Sequence, residues 1–216
     1  MVSEGLSPEE LANMMEAGDM KTFSVACEAL CLANTHWAYK ILKQHIAHSD
    51  LYKRRYVLSV IFHYPQAVEL TSHLEQALNS EKPFLYGTAL NVIIQEKVRV
   101  SDEALLVCFE RNQGKLNRYD CLALETAEKT EANTRRILKL YRLCRDKSFR
   151  IGLAETLYCF CSQENHMEFY RLFQDDPAPH IRILACRIAK DYRHLELLRK
   201  FAQDKDGHIR KLAVSE

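Results

Sequence analysis

The side chains best suited to bind a metal or attack a substrate are eight cysteines and nine histidines. Cys27 and Cys31 are one helical turn apart, and a single residue separates Cys159 from Cys161. Either pair could ligate zinc, but a structural zinc site needs four ligands and no second matching pair exists. Both pairs fall at core-type positions of apolar-periodic segments, where cysteine acts as a small core residue. We therefore predict packing roles for these thiols, with no metal and no cofactor.

Motifs with a catalytic spacing are missing from the sequence. It contains no Gly-rich phosphate loop, no serine nucleophile elbow and no His-Glu-x-x-His zinc-protease motif. His36, His45 and His48 are close in sequence, and the last two are three residues apart. An exposed helical face explains this spacing, so we predict that the protein is not an enzyme.

Composition restricts the partners and the compartment. The 216 residues include 30 basic and 29 acidic side chains, and the net charge of +1 argues against nucleic acid as the partner. The 6 glycines and 5 prolines offer few turns for an all-β fold. No apolar run approaches the ~18 residues that suggest a membrane span. Cysteines inside apolar-periodic segments favour a reduced compartment, so we predict a cytoplasmic protein.

An internal repeat determines the predicted fold. Residues 176–185 return as 204–213, with Asp, His, Ile, Arg, Leu and Ala recurring in place 28 residues later. The apolar pattern around the repeated arginine extends back along the chain in steps of 28 to 34 residues. The positions equivalent to this arginine are Ser24, Arg55, Tyr86, Asp120, Arg150, Arg182 and Arg210. Helical pairs recurring about every 30 residues indicate an α-solenoid. We predict one domain, 1–216, of six to seven two-helix repeats, the last incomplete.

The repeated turn resembles that of the HEAT family, in which an Asp precedes a second helix that opens with Val/Ile-Arg. Two turns carry this signature: Asp176 with Ile181-Arg182, and Asp204 with Ile209-Arg210. Armadillo and tetratricopeptide arrays match the turn less well. The resemblance implies a right-handed α-α superhelix, in which Asp176, Arg182, Asp204 and Arg210 form a ladder between successive repeats. The alternative is an arginine row that binds anions.

The HEAT resemblance also implies a function, since second helices line the concave face of such arrays. We expect a scaffold or adaptor that binds a protein or peptide partner there. On the second helices, the positions that point away from the predicted core are often apolar, which suggests a groove. They comprise Tyr56, His63, Leu90, Ile94, Leu124, Glu125, Ile151, Glu155, Tyr158, Ile183, Arg187 and Lys190. The alternative is that curvature of the superhelix buries several of them.

Two other HEAT-like families offer alternative functions. Alkylbase DNA glycosylases of this architecture use a basic concave face that bears Trp. The single tryptophan here, Trp37, belongs to the first helix of a predicted pair, whereas second helices line the concave face. Phycobilisome lyases also carry HEAT-like repeats, but no distinctive residue links this chain to them.

The second helix of the seventh predicted pair is expected to be short. It begins near Ile209, and the core position expected seven residues after Arg210 is not filled. An uncovered apolar layer predicts that the native chain continues, or that another copy or partner packs there. The alternative is that a short frayed helix suffices as a cap.

Overall fold

Local hydrogen bonding fixes the start of the first helix. In the computed structural model, which describes residues 6–215, α1 (Pro8–Ala17) begins after Ser7. The Glu10 backbone N–H donates to Ser7 Oγ at 3.2 Å, and the Ser7 N–H donates to Glu10 Oε2 at 2.7 Å. This capping box satisfies two N–H groups that a helix start otherwise leaves without partners.

Helices account for all the regular structure of the described residues, which contain no strand. The α-helices after α1 are α2 (Met20–Ala33), α3 (His36–His45), α4 (Leu51–Ile61), α5 (Thr71–Leu78), α6 (Pro83–Glu96), α7 (Asp102–Asn112), α8 (Glu131–Leu143), α9 (Lys147–Cys159), α10 (His166–Phe173), α11 (Pro179–Asp191), α12 (Leu195–Phe201) and α13 (Gly207–Val214). Two 3₁₀ helices span Pro65–Leu70 and Asp120–Thr126. The all-α prediction is confirmed. None of the described helices is long and apolar enough to cross a membrane.

The chain divides into two compact units, Met1–Cys108 and Phe109–Glu216. In the first unit, α2 packs on α4 and α4 packs on α6. In the second unit, the second 3₁₀ helix packs on α9, α9 on α11, and α11 on α13. The second helix of each predicted pair thus contacts the second helix of the next pair within its unit. The prediction of one domain remains a prediction.

Small residues recur at one buried position of the second helices, where Leu58 and Leu153 stand in two of the repeats. Cys27, Ala89, Ala123 and Ala185 occupy equivalent repeat positions, and all four are fully buried. Small side chains allow the neighbouring helices to approach closely, and larger apolar residues fill the space around them. All eight cysteines are free thiols. Residues 6–215 include no cluster of three or more His, Cys, Asp or Glu side chains that could hold a metal ion.

Ion pairs connect successive turns of the second unit. Arg182 Nε and Nη2 each lie 2.9 Å from a carboxylate oxygen of Asp204, and both side chains are largely buried. Arg150 Nη2 lies 3.0 Å from Asp176 Oδ1. Hydrogen bonds from Arg182 hold the pKa of the Asp204 carboxyl below its usual value. Arg210 occupies the equivalent position on α13, where it donates to backbone carbonyls.

Candidate binding pocket

An open pocket of about 680 Å³ lies in the second unit, against the second 3₁₀ helix, α9 and α11. We call it the α9–α11 pocket. Its lining comprises Asn117, Arg118, Tyr119, Leu122, Glu125, Glu155, Tyr158, Cys159, Leu184 and Arg187. Glu125, Glu155, Tyr158 and Arg187 are among the predicted groove residues, so the structure brings four of those twelve together.

The second 3₁₀ helix, Asp120–Thr126, contributes to one wall of the pocket. The sequence pattern predicts an α-helix at this place. Backbone N–H groups donate three residues back, from Leu122 to Tyr119 and from Ala127 to Leu124, both at 3.1 Å. A 3₁₀ helix has three residues per turn, so side chains three apart lie on one face. Tyr119, Leu122 and Glu125 therefore line the pocket together.

The same three-residue period fixes the opposite face of this helix. Cys121, Leu124 and Ala127 are all buried. Counted from Asp120, the position equivalent to the repeated arginine, an α-helical period predicts that Tyr119 and Leu122 belong to the core and Leu124 to the groove. The structure reverses these placements, because each residue turns the 3₁₀ helix about 120° instead of about 100°.

The turn before the 3₁₀ helix is held by its own polar side chains. The Tyr119 N–H donates to Asn117 Oδ1 at 2.7 Å, and the Asn117 N–H donates to Asp120 Oδ2 at 2.8 Å. Gly152 of α9 lies against this segment. A Cβ at Gly152 would be 2.7 Å from Cys121 Sγ and 2.9 Å from the Arg118 Cα, so only glycine allows this approach.

A two-pronged ion pair crosses the pocket. Arg118 Nε donates to Glu155 Oε2 at 2.7 Å, and Arg118 Nη2 donates to Glu155 Oε1. Hydrogen bonding to Glu155 raises the pKa of the Arg118 guanidinium. Because both groups are half-exposed, the pair orients the two side chains and contributes little to stability.

Two lining groups that could react are protonated at neutral pH. Burial and a 2.7 Å hydrogen bond to Asp191 Oδ2 raise the pKa of Tyr158 to about 12. Burial, then the nearby Glu125 carboxylate, raises the pKa of the Cys159 thiol. Cys159 Sγ lies 3.9 Å from Glu125 Oε1. A protonated thiol is a poor nucleophile, so these groups are suited to hydrogen bonding and packing.

Arg187 differs from the other charged groups of the lining. It is exposed and forms no hydrogen bond or ion pair with any residue that the structure describes. Lys190, one turn further along α11, is held instead by the backbone carbonyl oxygen of Ser215, 2.7 Å from Nζ. Ile183 is half-buried and lies outside the lining, whereas its neighbour Leu184 contributes to it.

The remaining predicted groove residues are either buried or in the first unit. Four apolar ones belong to the core: Leu90, Ile94, Leu124 and Ile151. The groove assignment expects these side chains to be exposed, whereas each of them is buried in the structure. In the first unit, Tyr56 lines a pocket of about 190 Å³ between α4 and α6. His63 Nδ1 lies 2.8 Å from Glu96 Oε1.

Sequence reasoning missed six of the lining residues: Asn117, Arg118, Tyr119, Leu122, Cys159 and Leu184. A signal for part of this set was present in the sequence. Apolar residues recur every three positions at Cys121, Leu124 and Ala127, which matches the 3₁₀ period. The pairing of Arg118 with Glu155 spans 37 positions, and no sequence pattern indicates it.

Comparison with known proteins assigns no family. No protein-family model matches the sequence, and no curated protein matches it. A structural genomics target described as an engineered protein has a crystal structure with some likeness to this chain. The TM-score is 0.45 at 14% sequence identity, over 95% of this chain and 93% of that one. A likeness at this level carries no argument about fold or function.

Proposed function

We propose that this protein is a non-enzymatic, HEAT-like scaffold that binds a protein or peptide partner through the α9–α11 pocket. One observation carries the proposal: two large apolar side chains lie exposed beside each other in a formed pocket. Tyr119 is 46% exposed and Leu122 is 39% exposed. Adjacent exposed apolar groups in a concave site are typical of interaction surfaces.

The packing of the second helices supports the HEAT-like part of this proposal. Within each unit they contact one another in chain order, as the second helices of a solenoid do. The Arg182–Asp204 and Arg150–Asp176 pairs connect successive turns, as an Asp–Arg ladder does. The free cysteines fit a reducing compartment such as the cytoplasm.

The charges of the pocket favour a polypeptide partner over nucleic acid. Arg118 is neutralised by Glu155, and the Glu125 carboxylate offsets the charge of the unpaired Arg187, so the lining has no net positive charge. Nucleic-acid binding depends on cations that are free to neutralise phosphates. Apolar and aromatic groups edged by charges of both signs instead resemble an interface core with its polar rim.

A volume of about 680 Å³ accommodates a large side chain with its flanking backbone. We expect the partner to insert an aromatic or large aliphatic residue between Leu122 and Leu184. The hydroxyl of Tyr158 and the guanidinium of Arg187 then lie at the rim, where they can meet polar groups of the partner.

Selection from a random-peptide display library tests this function. Wild-type protein is expected to enrich peptides that share one large apolar residue. Leu122→Glu places a charge in the pocket and should weaken binding of those peptides by about tenfold or more, as loss of an interface anchor does.

Leu143→Glu is the matched control, because Leu143 is 59% exposed on α8 and lies outside the pocket. It should leave peptide affinity within about twofold, as surface substitutions away from a binding site do. If no peptide is enriched, or if the two variants lose affinity equally, the proposed function is wrong. Tighter binding of duplex DNA than of any selected peptide, measured in a separate titration, would favour the DNA-binding alternative.

A further inference from the structure

The α9–α11 pocket is built from two walls on either side of one floor. The second 3₁₀ helix and α11 both pack on α9, so α9 forms the floor between them. Leu122 belongs to the first wall and Leu184 to the second, and each is two residues after the position of the repeated arginine. The two walls therefore present apolar groups at equivalent places, where the partner is expected to insert its large apolar residue.

Charged side chains occupy the next turn of all three elements. Each is five residues after the position of the repeated arginine: Glu125 in the 3₁₀ helix, Glu155 in α9 and Arg187 in α11. Arg118 binds both oxygens of Glu155, so the charge on the floor is neutralised. An exposed negative charge is left on one wall and an exposed positive charge on the other.

Neighbouring side chains of opposite charge leave both wall charges available. Asp191, four residues after Arg187, accepts a hydrogen bond from the Tyr158 hydroxyl at 2.7 Å instead of pairing with the guanidinium. Lys129, four residues after Glu125, lines a different pocket. Glu125 and Arg187 form no ion pair with any residue that the structure describes. A partner can therefore meet both of them.

Helix packing limits the distance between the two walls. Packed helices lie about 8–10 Å apart, so two spacings place the walls at most about 20 Å apart. An extended peptide advances about 3.3 Å per residue, so no more than about six residues cover that distance. A peptide that crosses α9 thus meets both wall charges within one short segment.

We propose that the α9–α11 pocket selects peptides in which an acidic and a basic residue stand on opposite sides of the apolar anchor. The acidic residue pairs with Arg187 and the basic residue with Glu125. This inference rests on the proposed function and adds to it the charge pattern of the partner. Peptides that carry the same charge on both sides are disfavoured, because they bring like charges together at one wall.

Display selections against charge-reversed pockets test the proposal. Wild-type protein is expected to enrich peptides with one acidic and one basic residue within about six positions, on either side of a large apolar residue. Arg187→Glu makes both walls negative and should enrich peptides with two basic residues. Glu125→Arg makes both walls positive and should enrich peptides with two acidic residues. These expectations hold for either direction of the peptide chain.

A titration with the most enriched wild-type peptide measures the contribution of one wall. Changing its acidic residue to lysine should weaken binding to the wild type about fivefold or more, since an attraction becomes a repulsion. The Arg187→Glu variant should instead prefer the changed peptide.

Arg171→Glu is the matched control, because it makes the same charge change at an exposed residue of α10 outside the pocket. It should leave the charge pattern unchanged and the affinity within about twofold. Matching circular dichroism spectra and urea midpoints establish that each variant is folded.

Selected peptides that share the apolar residue but lack the flanking charges overturn this inference and leave the proposed function standing. So does a charge pattern that neither Arg187→Glu nor Glu125→Arg changes. A pattern that responds to only one of the two substitutions refutes the assignment of a charge to each wall. If no peptide is enriched, the proposed function is wrong and this inference falls with it.

Discussion

Substituting Arg182 and Asp204, singly and together, should reveal a large coupling free energy between the two side chains. The Arg182 side chain is 5% exposed and that of Asp204 is 10% exposed. Arg182→Ala removes two hydrogen bonds to the carboxylate and two to carbonyl oxygens. Loss of one partner of a buried pair costs about 3–5 kcal/mol, because the other charge stays buried without compensation.

We therefore expect Arg182→Ala to lower the free energy of unfolding by about 4 kcal/mol and Asp204→Ala by about 3 kcal/mol. The double variant should lose less than the sum of these values, with a coupling of about 2 kcal/mol or more. Urea titrations followed by far-UV circular dichroism measure the free energy of unfolding of the wild type, the two single variants and the double variant.

The exposed pair of Arg199 and Glu196 on α12 is the control, and its coupling should stay within about 0.5 kcal/mol. The pKa of Asp204 is lowered in the folded protein, so its stabilisation is present above the unfolded value of about 3.9 and is lost as pH falls through the folded pKa. Equal couplings for the buried and exposed pairs would refute the reasoning.

Three further predictions follow from packing and charge. Gly152→Ala should cost about 1–3 kcal/mol in urea titrations, because its Cβ would overlap Cys121 Sγ and the Arg118 backbone; a neutral result contradicts the close approach. Ala185→Leu should cost a similar ~1–3 kcal/mol, and more than Ile183→Ala, since Ala185 is fully buried and Ile183 is half-buried; the reverse order contradicts it. Duplex DNA should bind weakly in mobility-shift assays at physiological salt, and sub-micromolar, salt-sensitive binding would reverse the ranking of functions.

Element type and repeat spacing could be read from the sequence because they depend on local patterns. The apolar period of 3.6 residues predicts the helices, and the repeated Asp-to-Arg spacing predicts which positions are equivalent. Ala89 and Ala185 are buried, as the stripe requires. The helical period is visible within a few turns of chain, and the repeat spacing is found by comparing segments 28 to 34 residues apart.

The pocket could be predicted only in part, because it depends on geometry that the pattern does not contain. A change from 3.6 to 3 residues per turn at Asp120–Thr126 moved Leu122 outward and Leu124 inward. The half-exposed Tyr158 and the exposed Glu125 line the pocket as the groove assignment implied. Leu90 and Ile94 were misassigned, because their burial depends on contacts with residues distant in sequence.

Chemical-shift mapping by NMR tests most directly the claim that the α9–α11 pocket is the binding site. A display-selected peptide is titrated into isotope-labelled protein while the backbone amide resonances are followed. The largest changes are expected at the pocket residues Leu122, Tyr158 and Leu184, with small changes at Tyr56 of α4 and Thr88 of α6, which line the separate pocket of the first unit. Changes centred on Tyr56 and Thr88, or spread without a centre, would contradict the assignment of the binding site.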